Sequence, residues 1–353
     1  MRYCMKKSIS QRDIARLLGI NVSTVSRALK DLPGVSPELR QKISALAKDN
    51  GYRPNPLAMS LRYGNTRTVG VVVPDISFNH YAHIVKWIET EARKNGYMCI
   101  VTDSDDKYES EVECVERLID MHVDGVAMCL SQETVDLSHL ELLRKNHIPV
   151  VLFDRVADND YPTVSFNDVE SARLATLHLI DCGARRIAFL GGPNRAKQSS
   201  DRKHGYLNAL RERGVAIRKE LVKSNHASFN SGLSDTLELL SLPEPPDAIL
   251  ADHGLLTIAA FQAVISRGLH IPQDIAIIGF MSDWVSGMSF PRMTFVKQNL
   301  KEIGRTTVRL LIDQINGISS IRHVVVNARL NIRESTSAYK QEQTNHINDN
   351  ERL

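Results

Sequence analysis

The chain has 353 residues, enough for two or three domains of roughly 150 residues each and a sizeable core. Hydrophobic residues make up 42% and charged residues 24%, which excludes collagen-like and wholly disordered chains, and no apolar run reaches the roughly 18 residues of a membrane helix. The formal net charge is only +3, but residues 1–63 hold twelve Lys and Arg against four Asp and Glu while the rest hold 32 against 37, so a small basic unit precedes a large, mildly acidic one and points to a polyanion partner.

The basic unit carries ordered helix signals. Ser10 can cap a helix with Asp13 at its third position, a capping box, and Ile9 with Ile14 forms the matching hydrophobic staple. Ile14, Leu17 and Leu18 are expected to form its apolar face, and Gly19 ends it. Asn21 is expected to cap a second helix with Ile20 and Val25 as staple. Val25, Ala28 and Leu29 would then point inward, and Val22, Ser23, Ser26, Arg27 and Lys30 outward. Ser36 with Pro37 opens a third helix, lined inside by Leu39, Ile43, Leu46 and Ala47 and followed by Gly51. Two short helices joined by a Gly turn form a helix-turn-helix pattern, whose second helix enters the major groove. Ser23 can donate or accept there, Arg27 can fork onto guanine or phosphate, and Val22 can touch a thymine methyl. An ordinary three-helix bundle with a solvated polar face would show the same caps; the charge excess favours DNA.

The run Asp13-Ile14-Ala15, Gly19-Ile20-Asn21, Thr24-Val25-Ser26-Arg27-Ala28-Leu29 and Gly51-Tyr52-Arg53-Pro54-Asn55 resembles the LacI/GalR family of bacterial transcription regulators. The resemblance implies that Val22 and Ser23 read bases and that Arg27 meets a base or phosphate. After it, Asn55 can cap and Pro56 can open a hinge helix with Leu57 and Leu61 on one face. At about two turns such a helix is marginal in water, so it is expected to form only on DNA. In the family the matching segment pairs with its twin, and Leu61 aligns with a leucine wedged into the minor groove, where unstacking costs about a few kcal/mol. The expected DNA-facing set is Val22, Ser23, Ser26, Arg27, Lys30, Asn55, Leu61 and Arg62.

From Thr68 onward short apolar runs alternate with helical stretches. Strands are expected at Val69–Val73, Met98–Thr102, Gly125–Leu130, Pro149–Phe153, Val164–Phe166, Arg186–Leu190, Ala248–Leu250 and Ile275–Phe280. Helical patterns lie between them, for example at His80–Asn95, Glu109–His122, Val169–Cys182, Arg202–Arg213 and Leu255–Arg267. This alternation argues for an α/β parallel sheet with ligands at the carboxyl ends of its strands. No nucleotide-binding glycine motif, nucleophile elbow or paired metal-ligand histidine spacing is present. Gly191-Gly192 after a strand could cradle an anion, but reads more readily as a plain tight turn. Five cysteines, Cys4, Cys99, Cys114, Cys129 and Cys182, are odd in number and widely spaced, which speaks against a disulfide framework and a zinc cluster. No catalytic set, metal or cofactor is expected.

The resemblance continues to about residue 336 through Pro74-Asp75-Ile76-Ser77, Asp124-Gly125-Val126, Phe153-Asp154-Arg155, Gly191-Gly192-Pro193, Arg202 before Gly205-Tyr206, Ile278-Gly279-Phe280 and Lys297-Gln298. It implies an N-terminal all-α helix-turn-helix domain plus an α/β periplasmic-binding-protein-like core of two parallel-sheet subdomains joined by three crossovers, with the effector in the cleft between them and dimerisation through the flanks. The implied cleft residues are Asp75, Ser77, His80, Tyr81, Asp154, Asn167, Arg202 and Asp252. Carboxylates and a guanidinium suit sugar hydroxyls, and an aromatic face suits the ring. The chain departs from family words at Asp252-His253, at Met281-Ser282 before Asp283, and at Asn167.

The expected boundaries are a DNA-binding domain at 8–54, a hinge at 55–65, a core at 66–336 and a disordered tail at 337–353. Within the core, one subdomain is expected at about 66–163 with 294–318, the other at 164–293 with 319–336. The tail has no leucine heptads. The function expected is that of a cytoplasmic, DNA-binding transcriptional regulator, a homodimer on a pseudo-palindromic operator, controlled by a sugar or related metabolite. The rivals are a small-molecule binding protein without DNA function, against which the missing secretory signal and the basic head speak, and an enzyme on a two-subdomain scaffold, for which no acid, base or nucleophile set is present.

Overall fold

Short caps and a left-handed glycine shape the first helices. Ser10 accepts from the Asp13 backbone N–H while Asp13 accepts from the Ser10 N–H, a complete capping box that opens α1 (Gln11–Leu18). Gly19 closes it at φ +63°, a conformation cheap only for glycine. α2 spans Val22–Leu29, and α3, opened by the Ser36 side chain with Pro37 in its first turn, spans Pro37–Asp49. Ile14, Ala15, Val25, Ala28, Ile43 and Ala47 form the buried centre of this small bundle.

Two local expectations are corrected. Leu17 is 63% exposed; with about 100° per residue the inward stripe runs through Ile14, Ala15 and Leu18, and Leu17 falls off its edge. Asn21 stands at the N-cap of α2, but its side chain makes no capping hydrogen bond. Its main-chain carbonyl takes the Thr24 and Val25 N–H groups instead.

The structure, a computed structural model, describes residues 9–52, 65–157, 160–193, 197–225, 227–281, 283–318 and 322–337. The hinge residues Asn55, Leu61 and Arg62 lie outside the described residues, as does the expected tail beyond Ser337. The chain divides into two units, Met1–Thr66 and Arg67–Leu353.

The second unit alternates strands and helices. Its first part contains β1 (Thr68–Val73), α4 (Asn79–Lys94), β2 (Met98–Asp103), α5 (Tyr108–Asp120), β3 (Gly125–Met128), α6 (Ser138–Lys145), β4 (Val150–Phe153) and β5 (Thr163–Phe166). The next contains α7 (Asp168–Asp181), β6 (Ile187–Gly191), α8 (Lys197–Glu212), β7 (Val222–Ser224), α9 (Phe229–Leu240), β8 (Ala248–Ala251), α10 (Gly254–Ser266), β9 (Ala276–Phe280), α11 (Asp283–Ser286) and β10 (Thr294–Lys297). α12 (Leu300–Ile315), β11 (His323–Val326), β12 (Arg329–Asn331) and α13 (Glu334–Ser337) complete it.

The strands form two sheets, β11-β5-β4-β3-β1-β2 and β12-β10-β9-β8-β6-β7. All pairings are parallel except that of β10 with β12. Each sheet is covered on both faces, the first by clusters including Ile84, Ile303 and Leu311 on one side and Leu118, Leu140 and Leu143 on the other. Clusters around Tyr206 and Leu210, and around Leu239 and Val264, cover the second. Burial on both faces accounts for the unbroken apolar run of β1, every residue of which is buried.

The chain exchanges sheets three times, after β5, after β10 and after β11. These crossings correct the expected subdomain limits. β10, at 294–297, belongs to the second sheet and not the first, while β5 and β11 belong to the first and not the second. A short apolar strand looks alike in either sheet, so the pattern marks the strand without marking its sheet. β7, β10, β11 and β12 were not among the expected strands. In β7, β11 and β12 only Val326 is buried; the edge strands β7 and β12 lack the apolar run that identifies a central one, while β11 carries only the short run Val324–Val326.

Candidate functional site

On the helical unit, the outward face of α2 presents Val22, Ser23 and Arg27 to solvent, with Ser26 and Lys30 half-buried. Val25 and Ala28 anchor the opposite face. A Cβ placed on Gly34 would meet Arg27 Nη1 at 3.4 Å, so the guanidinium lies along the turn after α2. That turn is fixed by Arg40, which pairs with Asp31 and donates to the Leu32 carbonyl at 2.7 Å. The face thus combines small, hydrogen-bonding and cationic groups on a rigid helix, the chemistry that a major groove reads.

In the second unit the polar groups collect at the carboxyl ends of the strands of both sheets. Directly after β4, Asp154 is buried and lies 3.1 Å from His80 Nε2 on α4. Arg155, its neighbour, reaches Asp106 at 2.6 Å, and Gln132 Nε2 donates to the other Asp106 oxygen at 2.9 Å. Tyr81 is buried in the first-sheet core, edge-on to the His80 ring and beneath the Arg155 guanidinium. It therefore supports these two polar groups, and its own ring face is covered.

The opposite subdomain supplies a matching cluster. Arg202 on α8 donates through Nε to Asp168 at 2.8 Å, donates to the Asp252 carbonyl, and lies 4.0 Å over the Phe280 ring. Asp252, just past β8, accepts from the Gly192 N–H at 3.1 Å and pairs with His253. Two buried carboxylates, one per subdomain, thus each back a partly exposed histidine.

Electrostatics joins the two clusters. Burial pushes the Asp154 carboxyl up, but His80, then Arg155 and Arg202, outweigh it and hold the group below the usual carboxylate range. Asp252 follows the same pattern: burial is outweighed by His253, Arg202 and the Gly192 N–H. Asp168 does not; burial pushes it up to about 6 despite Arg202. Arg202 therefore acts on carboxylates of both subdomains, as expected of a group at their junction.

The remaining expected residues have other positions. Asp75 accepts the Ser77 N–H at 2.8 Å in a turn after β1, while Ile76 N donates to Asp103 at 2.6 Å. Ser77 is exposed. Asn167 caps α7 through Glu170 N at 3.2 Å and donates to Asn327 at 3.2 Å, tying two of the three crossings together. Arg155, Asp106, Gln132, Asp168 and His253 were missed. Asp168 and His253 each lie two residues past a strand end, a placement that would have singled them out. Ser199 Oγ and Gln298 Nε2, also near these strand ends, are buried without a hydrogen-bond partner among the described residues. Among the described residues no group of three His, Cys, Asp or Glu could hold a metal, and no helix is long and apolar enough to cross a membrane.

Residues 11–55 match the model of bacterial regulatory proteins of the lacI family, and residues 176–336 match that of a periplasmic binding protein-like domain. The chain is 32% identical over 331 residues to the catabolite control protein A of Priestia megaterium, covering 92% of this chain and 98% of that protein. The solved complex of the transcriptional regulator CelR with cellobiose is 28% identical, covers 93% of this chain and 99% of its own, and superposes with a TM-score of 0.71. The lac repressor dimer bound to operator and an anti-inducer shares the fold, with a TM-score of 0.84, 23% identity and coverage of 94% and 99%.

Proposed function

This chain belongs to the lacI family of bacterial regulatory proteins, and from that footing we propose that a small polar effector in its cleft sets how tightly its helical head holds operator DNA. It is a DNA-binding transcriptional regulator and not an enzyme. The effector is a sugar or related metabolite, and the cytoplasm is where the protein meets both ligands.

The observation that carries the effector reading is the pair of carboxylate-backed histidines, one in each subdomain, with Arg202 acting on both carboxylates. Such a set offers acceptors and donors at fixed positions, which hydroxyl-rich ligands require. Ser199 Oγ and Gln298 Nε2, buried and unpaired, add a further demand for a polar occupant. His80, Asp154, Arg202 and Asp252 carry recognition; Asp75 and Ser77 line the entrance, Tyr81 supports His80, and Asn167 acts through the crossing that it ties. The regulator CelR is a relative solved with cellobiose.

Operator binding needs two heads. Ser23 and Val22 read base edges, Arg27 takes a base or phosphate, and Ser26, Lys30, Asn55 and Arg62 steady the backbone, while Leu61 wedges the minor groove. The protein is a homodimer, so its operator is pseudo-palindromic. Exposed Met98 and Val101 on edge strand β2, with Ile258 and Ile265 on α10, supply apolar surface for the partner. An effector that prefers one closure state of the cleft shifts the spacing of the heads by linkage. Selection of duplexes from a random library at modest salt, followed by a screen of sugars for altered binding, tests this. Recovery of no two-fold symmetric site would overturn it.

A further inference from the structure

We propose that a second ligand site lies at the edge of the second sheet opposite the cleft, where three arginines rim a hollow of about 550 Å³, and that it takes a phosphate-bearing anion with a small apolar body. The hollow lies between the end of α7, the turn into β6 and the segment after α8. Arg185 precedes β6 and Arg218 precedes β7, so both stand at the amino ends of strands whose carboxyl ends face the cleft.

The floor is apolar: Ile180 is buried, and Val215 packs against the second-sheet core. The rim is cationic. Arg213 is held at 2.8 Å by Asp181, the carboxylate in the lining. Arg185 Nη1 donates to the carbonyls of Ile180 and Ala184 at 3.1 and 2.8 Å. That bond fixes its plane and offsets the negative end of α7. Arg218 makes no ion pair among the described residues, and its Nε is shielded from solvent without an acceptor. A desolvated donor left unpaired is destabilising. An arriving acceptor would recover that cost, and a phosphoryl oxygen is the acceptor that a planar guanidinium matches best. Three guanidiniums stand against Asp181 in the lining and Asp247, which accepts the Arg185 N–H at 2.7 Å; the remaining positive charge favours an anion, and the apolar floor favours one with a hydrophobic body over the bare ion.

Calorimetric titration of the full chain with phenyl phosphate tests the site, with inorganic phosphate and phenol as companion probes. Saturable binding of one phenyl phosphate per chain is expected, with weaker binding of inorganic phosphate and none of phenol. Arg218→Gln should weaken phenyl phosphate by about tenfold, the loss of one charge-assisted hydrogen bond, with Arg213→Gln as an independent second variant. Arg309→Gln, an exposed arginine elsewhere, should leave affinity unchanged, and melting temperatures report whether each variant folds. Absence of saturable binding, or equal weakening by the Arg218 and Arg309 variants, overturns the site. Equal affinity for inorganic phosphate and phenyl phosphate overturns the apolar-body requirement and assigns the hollow to the free ion.

Discussion

Arg202 and Asp168 are joined Nε to Oδ1 at 2.8 Å, with both side chains almost sealed from solvent. The attraction is real, yet burial outweighs it: the Asp168 carboxyl is pushed up to about 6 from an ordinary 3.8. A group raised in this way contributes stability that is fully present below its unfolded value and is lost as pH rises through its folded value. Stability of the normal chain relative to Asp168→Asn should therefore fall between about pH 4 and about pH 6. Urea unfolding of both proteins across that window measures the difference, and a flat difference refutes the assignment. Arg202→Met strands the carboxylate and should cost about 3–5 kcal/mol near neutral pH.

Gly205 allows α8 to lie against α7. A Cβ there would stand 2.0 Å from the Val169 carbonyl oxygen, a backbone atom that cannot rotate away. Gly205→Ala should destabilise the protein by about 1–3 kcal/mol through overpacking, seen as a lower thermal midpoint. An unchanged midpoint would show that the two helices part without cost.

Ser23 and Lys30 should fail differently on DNA. Ser23→Ala is expected to relax preference at one base position by about 1–3 kcal/mol, whereas Lys30→Ala should weaken all duplexes alike and reduce the salt slope by about 1. Fluorescence anisotropy at several salt concentrations separates the two. If the intact head makes six to ten phosphate contacts, affinity should drop about 10³–10⁵-fold between 50 and 200 mM salt.

If Leu61 wedges the minor groove as proposed, Leu61→Ala should cut operator affinity while leaving effector affinity intact, because a wedge acts only on bent DNA. Unchanged operator affinity would remove the wedge from the mechanism. A flexible pyrimidine–purine step at the operator centre should bind best, since it kinks at least cost.

The head was legible almost throughout because its determinants are local. The capping box at Ser10, the left-handed Gly19 and the Ser36–Pro37 start each involve residues within four positions of one another, and the basic surplus needs only counting. Leu17 and Asn21 escaped because helical phase and side-chain rotamer are decided by what packs against them.

In the core, apolar runs marked the central strands, and four of the eight expected effector residues, His80, Asp154, Arg202 and Asp252, belong to the two polar clusters at the strand ends. Sequence alone determined that a cationic helical reader precedes an alternating α/β body, because caps, charge and periodicity are short-range properties. Only the tertiary structure decided which sheet owns β5, β10 and β11, and that Arg202 binds Asp168, 34 positions away, while also acting on Asp154. Those are contacts between segments distant along the chain, and their strength depends on burial, which no local pattern encodes.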